Sequence, residues 1–231
     1  MRNKKRNETM TLTLTKPENS TRWHSVADLV ASLGGIPAER VQMSPWPGTA
    51  TEEDALHAND HQAQRSCELI AGVLVEKAAI SFLEDIYATV LIYHPQVYLR
   101  AHRIGKAATA GACYRMKSGN VRLPDVSVCL NDKFPTGKVE RLPIANFAPD
   151  LAVEVLSQHN TKREIEEKCS EYFASGTQLV WIVDPAKRVV IVKTSIDERF
   201  ELTEADILDG GTILPGFQLS IRDWFHEAET V

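Results

Sequence analysis

Leu151-Ala152-Val153-Glu154-Val155-Leu156, with the helical pattern that follows it from Thr161 to Ser175, decides the fold of this chain. In an extended run Ala152, Glu154 and Leu156 share one face, while Leu151, Val153 and Val155 share the other. Both faces are apolar apart from Glu154. A carboxylate in such a place must reach water, a cation or a hydrogen-bond donor, because burying it alone costs more than one side chain recovers.

The following segment has the signals of a helix. Asn160 or Thr161 offers an N-cap, Glu164 places an acid in the first turn, and Gly176 supplies the stop. Ile165, Cys169, Tyr172 and Phe173 form the apolar stripe. Lys168 lies three residues after Ile165 and four before Tyr172, which directs it toward the sheet side. Spacing alone leaves three fates for its ammonium: snorkelling to water, pairing with Glu164, or meeting Glu154. Leu179-Val180-Trp181-Ile182-Val183 then reads as an apolar strand, ended by Asp184-Pro185, with Val189-Val190-Ile191-Val192 as a hairpin partner. Later short strands are expected at Phe200–Leu202 and Phe217–Ile221, around the turn Asp209-Gly210-Gly211. Strand, helix and strand with hairpins on either side predict an α/β fold, a mixed central sheet with helical cover.

Working upstream, Pro124-Asp125-Val126-Ser127-Val128 is a second apolar run that carries an acid. Two carboxylates and one ammonium, Asp125, Glu154 and Lys168, are the groups a metal-dependent phosphodiester hydrolase requires. Hard anionic oxygens suit Mg²⁺ or Mn²⁺, and a cation suits charge developing on a phosphate. Asp150, also preceded by proline, shares strand parity with Glu154 but would lie roughly 13 Å away at ~3.3 Å per residue. It reads as a turn or strand-start residue.

Cys67 to Lys77 predicts two strands around a turn near Gly72. Ala79 to Ile92 predicts a helix with Phe82, Ile86, Val90 and Tyr93 along its apolar side and Glu84 and Asp85 off it. Gln96 to Leu99 reads as a strand, and Ile104 to Val121 as a hairpin or irregular strands. Asn131 to Ile144, with Pro135, Gly137 and Pro143, reads as a loop bordering a groove. Nearer the start, a short helix is expected from Ser25 to Ser32 and another within 51–67, while residues 1–20 are polar and expected to be disordered or loosely attached.

Composition narrows the function classes. The 231 residues are 43% hydrophobic, enough for one substantial core, with 1–64 as an N-terminal extension and 65–231 as the main domain. With 26 basic and 31 acidic side chains the net charge is −5, unlike a dedicated nucleic-acid binder, although a local basic rim or bound cations could still engage a polyanion. No stretch is long and apolar enough to span a membrane, and the basic start is not followed by a signal-peptide core, so no membrane partner and a cytoplasmic location are expected. Cys67, Cys113, Cys129 and Cys169 are too scattered for a zinc knuckle. His57 and His61 stand four apart, but no Glu follows His57, so the zinc-protease helix motif is absent. A thiol nucleophile with a histidine partner has no spacing signal. The glycines at 105, 111 and 119 lack phosphate-loop spacing.

Taken together, five segments resemble the Uma-type family of restriction endonucleases, within the PD-(D/E)XK nuclease-like superfamily. They are Cys67 to Glu76; Pro124-Asp125-Val126; Glu154-Val155-Leu156-Ser157; Lys168 with Tyr172 and Gly176; and Trp181-Ile182-Val183-Asp184-Pro185. The likeness covers roughly 65–225 and rests on their order and spacing. It implies a restriction-endonuclease-like fold and hydrolysis of DNA phosphodiester bonds. It also implies Asp125 and Glu154 as ligands of Mg²⁺ or Mn²⁺, and Lys168 as the catalytic ammonium. The superfamily form places an acid and a lysine two residues apart on one strand; here that position is Leu156, and the lysine has moved to the following helix. By the same resemblance Glu84 and Glu68 are candidates for a further acidic ligand. A homodimer would bring two sites to the two strands of a duplex. The alternatives are a non-catalytic binding or structural protein with this fold, or a hydrolase of another phosphorylated substrate.

Overall fold

In a computed structural model, residues 23–60 and 66–231 are described; the expectations for residues 1–20 and for His61 fall outside them. In chain order the elements are α1 (Val26–Ser32), α2 (Glu52–Asp60), β1 (Cys67–Ile70), β2 (Val73–Glu76), α3 (Phe82–His102), β3 (Gly105–Thr109), β4 (Tyr114–Arg115), β5 (Val121–Arg122) and β6 (Val126–Leu130). They continue with β7 (Leu151–Val155), α4 (Lys162–Ser175), β8 (Leu179–Asp184), β9 (Val189–Lys193), β10 (Arg199–Thr203), β11 (Ile207–Asp209), β12 (Gln218–Ser220) and α5 (Ile221–Glu229).

A six-stranded sheet runs in the order β10-β9-β8-β7-β6-β3. Its one parallel pair is β7 with β8, joined by the α4 crossover, and the other pairs are antiparallel. This is the mixed sheet with helical cover that the central strand-helix-strand pattern predicts. The alternation on β7 sorts two cores. Leu151, Val153 and Val155 pack with Tyr87, Leu91 and Leu99 of α3 and with Trp224 and Phe225 of α5. Ala152 faces the other way, with Ile165, Cys169 and Tyr172 of α4. Glu154 shares the parity of Ala152, so the fold presents it to α4.

A second sheet, β2-β1-β5-β4, stands beside the first. Residues 23–60 pack on it: Leu29, Leu33 and Ile36 against Val73 and Val75, and Ala50 and Ala55 against Leu69 and Leu74. Val41 bridges directly to Val75.

Two expectations are corrected. The strand at 96–99 is the continuation of α3, which runs through Pro95 to His102. Its buried stripe is Tyr87, Leu91, Pro95 and Leu99 at four-residue spacing, not the stripe through Phe82, which is 84% exposed. Helical spacing of buried side chains outweighs the local break, since Pro costs the helix one donor. Likewise the strand expected through Ile221 stops at Ser220, whose hydroxyl accepts from the Asp223 amide (3.2 Å) and caps α5. Ile221, Trp224, Phe225 and Ala228 of that helix are its buried face.

Candidate active site

Asp125, Glu154, Glu68 and Lys168 meet in one buried cluster. Asp125 immediately precedes β6, and its backbone amide donates to the Val153 carbonyl (2.9 Å). Its Oδ2 accepts from the Val155 amide (2.7 Å), so the side chain is pinned against β7 beside Glu154. From α4, Lys168 and Tyr172, one turn apart, both reach Glu154: Lys168 Nζ donates to Oε2 (2.9 Å) and Tyr172 Oη to Oε1 (2.6 Å). Lys168 also lies 3.1 Å from Glu68 Oε1. Of the three fates open to its ammonium, the structure therefore takes the meeting with Glu154. Glu164 is engaged elsewhere.

Glu68 enters from β1. It accepts from the Leu123 amide (3.0 Å) and from Arg122 (2.9 Å), whose guanidinium also binds Glu171 (2.5 Å) at the rim. The remaining cation is Lys77, just after β2. Its Nζ donates to Asp125 Oδ1 (2.7 Å) and to the Leu123 carbonyl (2.6 Å). The three inner carboxylates are thus matched by three cations, Lys77, Arg122 and Lys168.

The electrostatics follow from this pairing. Burial works against the charge on Glu68, but Lys168, Arg122 and Lys77 outweigh it and hold the carboxyl at about 2. For Glu154 burial dominates and pushes the carboxyl above its ordinary value, with Lys168 opposing. Burial also opposes the charge on Lys168, yet Glu154 and Glu68 hold its proton more tightly than an ordinary lysine does. Lys168 is therefore a firm cation. Burial raises the thiols of Cys67 and Cys129 to about 11 and that of Cys169 to about 12, which leaves them protonated and inert.

A depressed carboxyl stabilises the folded state above its ordinary value and ceases to do so as pH falls toward the folded one. For Glu68 that window runs from 4.5 down to about 2. Glu68→Gln is expected to cost about 3 kcal/mol near pH 7, through the strained balance left among Lys168 and Arg122. The gap to wild type narrows as pH drops through that window. Urea unfolding at pH 7 and pH 3 measures both values.

Helix α4 is held in position by the N-terminal segment. Thr161 caps it and Glu164 completes the capping box. Arg40 grips Glu164 through two bonds (3.0 and 2.6 Å) and donates to the carbonyl of Glu76 (2.8 Å), beside Lys77. Thr161 Oγ1 donates to the Gly34 carbonyl (2.6 Å). Gly34 has φ +85°, and a Cβ there would come within 2.8 Å of Glu164 Cα, so this approach requires glycine.

Glu84 is not brought to the cluster. It sits at the start of α3, where its carboxylate accepts from the Ser81 amide (2.5 Å) and closes a capping box. Asp150, wholly buried, accepts from the Leu130 amide (2.7 Å), and its carbonyl accepts from Gln178 and Leu179, consistent with a strand-start residue. Sequence reading missed Lys77, Arg122 and Arg40. Arg122 carried a signal, as the lone charge between Val121 and Leu123, the same anomaly that marks Glu154; Lys77 and Arg40 each follow a glutamate, Glu76 and Glu39, and read as halves of exposed local charge pairs.

The donors at Asp125, Glu154, Glu68 and the Leu123 carbonyl are all hard oxygens, the chemistry that Mg²⁺ or Mn²⁺ prefers. Each is turned onto a cation or a hydrogen-bond donor of the chain. Among the described residues no group of three or more His, Cys, Asp and Glu stands arranged to hold a metal ion. The donor set fits in kind, then, and a divalent ion would take its oxygens from existing partners.

A mixed sheet with two acids and a lysine converging on its middle strands defines a restriction-endonuclease-like architecture. The chain belongs to the Uma2 family, described as "Putative restriction endonuclease", which matches residues 53–222. Among solved structures it is similar to one described as a putative nuclease belonging to DUF820 from Anabaena variabilis. That likeness has a TM-score of 0.64 at 20% identity, over 71% of this chain and 91% of the other. No curated protein matches. Among the described residues no helix is long and apolar enough to cross a membrane.

Proposed function

We propose that the protein is a divalent-metal-dependent endonuclease that hydrolyses phosphodiester bonds of DNA. The observation that carries this reading is the buried meeting of Asp125, Glu154 and Lys168 in a member of a nuclease-like family. Asp125 and Glu154 would hold Mg²⁺ or Mn²⁺, with Glu68, which shares Lys168 with Glu154, as a candidate for a further ligand. The ion, when bound, would polarise the scissile phosphate and acidify a water.

The chain's own groups have distinct tasks. Asp125 is fixed by the Val155 amide, which leaves Oδ1 as its exchangeable oxygen. Tyr172 and Lys168 orient Glu154. Lys168, held protonated, suits the stabilisation of charge on the phosphorane-like transition state and not proton abstraction.

Complete internal pairing of the cluster favours one rival, a non-catalytic protein that keeps the fold. The two are separated by incubating purified wild type and Asp125→Ala with supercoiled, linear and single-stranded DNA in Mg²⁺, Mn²⁺ or EDTA. Wild type is expected to cut with metal and not in EDTA, with the variant slower by on the order of 100-fold or more. Equal cutting by the two proteins, or none by wild type, overturns the nuclease reading.

A further inference from the structure

Among the described residues, Lys77 is the one cation of the cluster with a way out. Its side chain is 16% exposed, against 4% for Lys168 and 4% for Arg122. Its ammonium touches one carboxylate oxygen, Asp125 Oδ1, and one backbone carbonyl, Leu123. Those are the two kinds of oxygen that a Mg²⁺ or Mn²⁺ site uses. Lys168 and Arg122, by contrast, are each shared between two carboxylates and held in place.

We propose that Lys77 is an exchangeable stand-in cation: its ammonium neutralises Asp125 while no divalent ion is bound, and must swing outward for one to bind. This rests on the reading that Asp125 takes part in holding the ion. Two considerations support it. A divalent ion added beside a seated ammonium would place like charges together at a buried carboxylate, so one has to leave. The four-carbon stem of lysine lets the charge move to solvent while the backbone stays put, anchored by the Lys77 amide on the Ser66 carbonyl (2.8 Å). Lys77 accordingly sets how much metal the site needs before it fills.

The test is Mn²⁺ binding to the full-length protein by titration calorimetry, for wild type, Lys77→Met, Lys77→Arg and Asp125→Asn. Lys77→Met keeps the stem and removes the charge, and is expected to bind Mn²⁺ at least about tenfold more tightly. Lys77→Arg should bind no more tightly than wild type, and Asp125→Asn more weakly. Equal or weaker binding by a folded Lys77→Met overturns the stand-in role. Should that variant fail to fold, wild type alone decides: acetylation of the Lys77 side chain, read by mass spectrometry, must speed up on adding Mn²⁺, and an unchanged rate overturns the proposal.

The two readings fail separately. Tighter Mn²⁺ binding by Lys77→Met with no DNA cleavage by any variant keeps the stand-in role and removes the nuclease. Metal-dependent cleavage by wild type with equal Mn²⁺ affinity in wild type and Lys77→Met keeps the nuclease and removes the stand-in. No Mn²⁺ binding by either protein overturns both.

Discussion

Lys168→Met is expected to lower the unfolding free energy by about 3–5 kcal/mol, because it strands two buried carboxylates that now share one ammonium. Glu154 loses its 2.9 Å partner and Glu68 its 3.1 Å partner at a stroke, although Tyr172 and Arg122 remain on them. Urea denaturation at neutral pH measures the loss. The triple variant Lys168→Met, Glu154→Gln, Glu68→Gln removes the unpaired charge and should recover a good part of it. Metal-dependent cleavage should stay absent in both, since neither retains the ammonium. A single variant as stable as wild type would mean that water or a shifted side chain already screens the carboxylates.

Arg40→Ala is the second large effect. Its guanidinium and Glu164 are each about 5% exposed, and removing one member leaves a charge with little access to water. Burial alone would raise the Glu164 carboxyl, but its bonds to Arg40, with help from Lys168, hold it below its ordinary value. The expected cost is about 3 kcal/mol in urea unfolding. Function should suffer beyond stability, because Arg40 ties the first turn of α4 to the end of β2, the two places from which Lys168 and Lys77 enter the cluster. At a temperature where the variant is still fully folded, cleavage should fall by about tenfold. Arg40→Lys, which lacks the two-pronged grip, should recover only part of either loss.

Arg40 lies outside the 53–222 segment matched by the family. It was illegible in the sequence because Glu39-Arg40 reads as a local pair of opposite charges and gives no hint of a partner 124 residues away. The residues that were legible are those whose chemistry clashes with their local pattern. Glu154 is an acid amid Leu151, Val153 and Val155. Lys168 interrupts the stripe of Ile165, Cys169 and Tyr172. Such conflicts can be seen without tertiary structure, because a charge on an apolar face needs an answer from elsewhere.

Other features depended on packing alone. The length of α3 was hidden because Pro95 punctuates a helix that Leu91 and Leu99 hold together from both sides. Helix α5 was hidden because Phe217 and Leu219 alternate like a strand up to the residue that caps it. Glu84 shows the converse. Its position resembled that of a ligand, yet Ser81 three residues earlier made it half of a capping box, a local pairing that the sequence carried in plain view.

The clamp between Arg40 and Glu164 also bears on when the cluster comes into being. Together the clamp and the cluster join positions 40, 68, 77, 122, 125, 154, 164, 168 and 172, so no short stretch of chain contains them. A growing chain still attached to the ribosome at residue 150 has Asp125 and Lys77 but neither Glu154 nor Lys168. A proteolytic cut that frees either half separates the same groups. The cluster is therefore not assembled until synthesis has passed Tyr172 and the early and late parts of the chain have closed on each other.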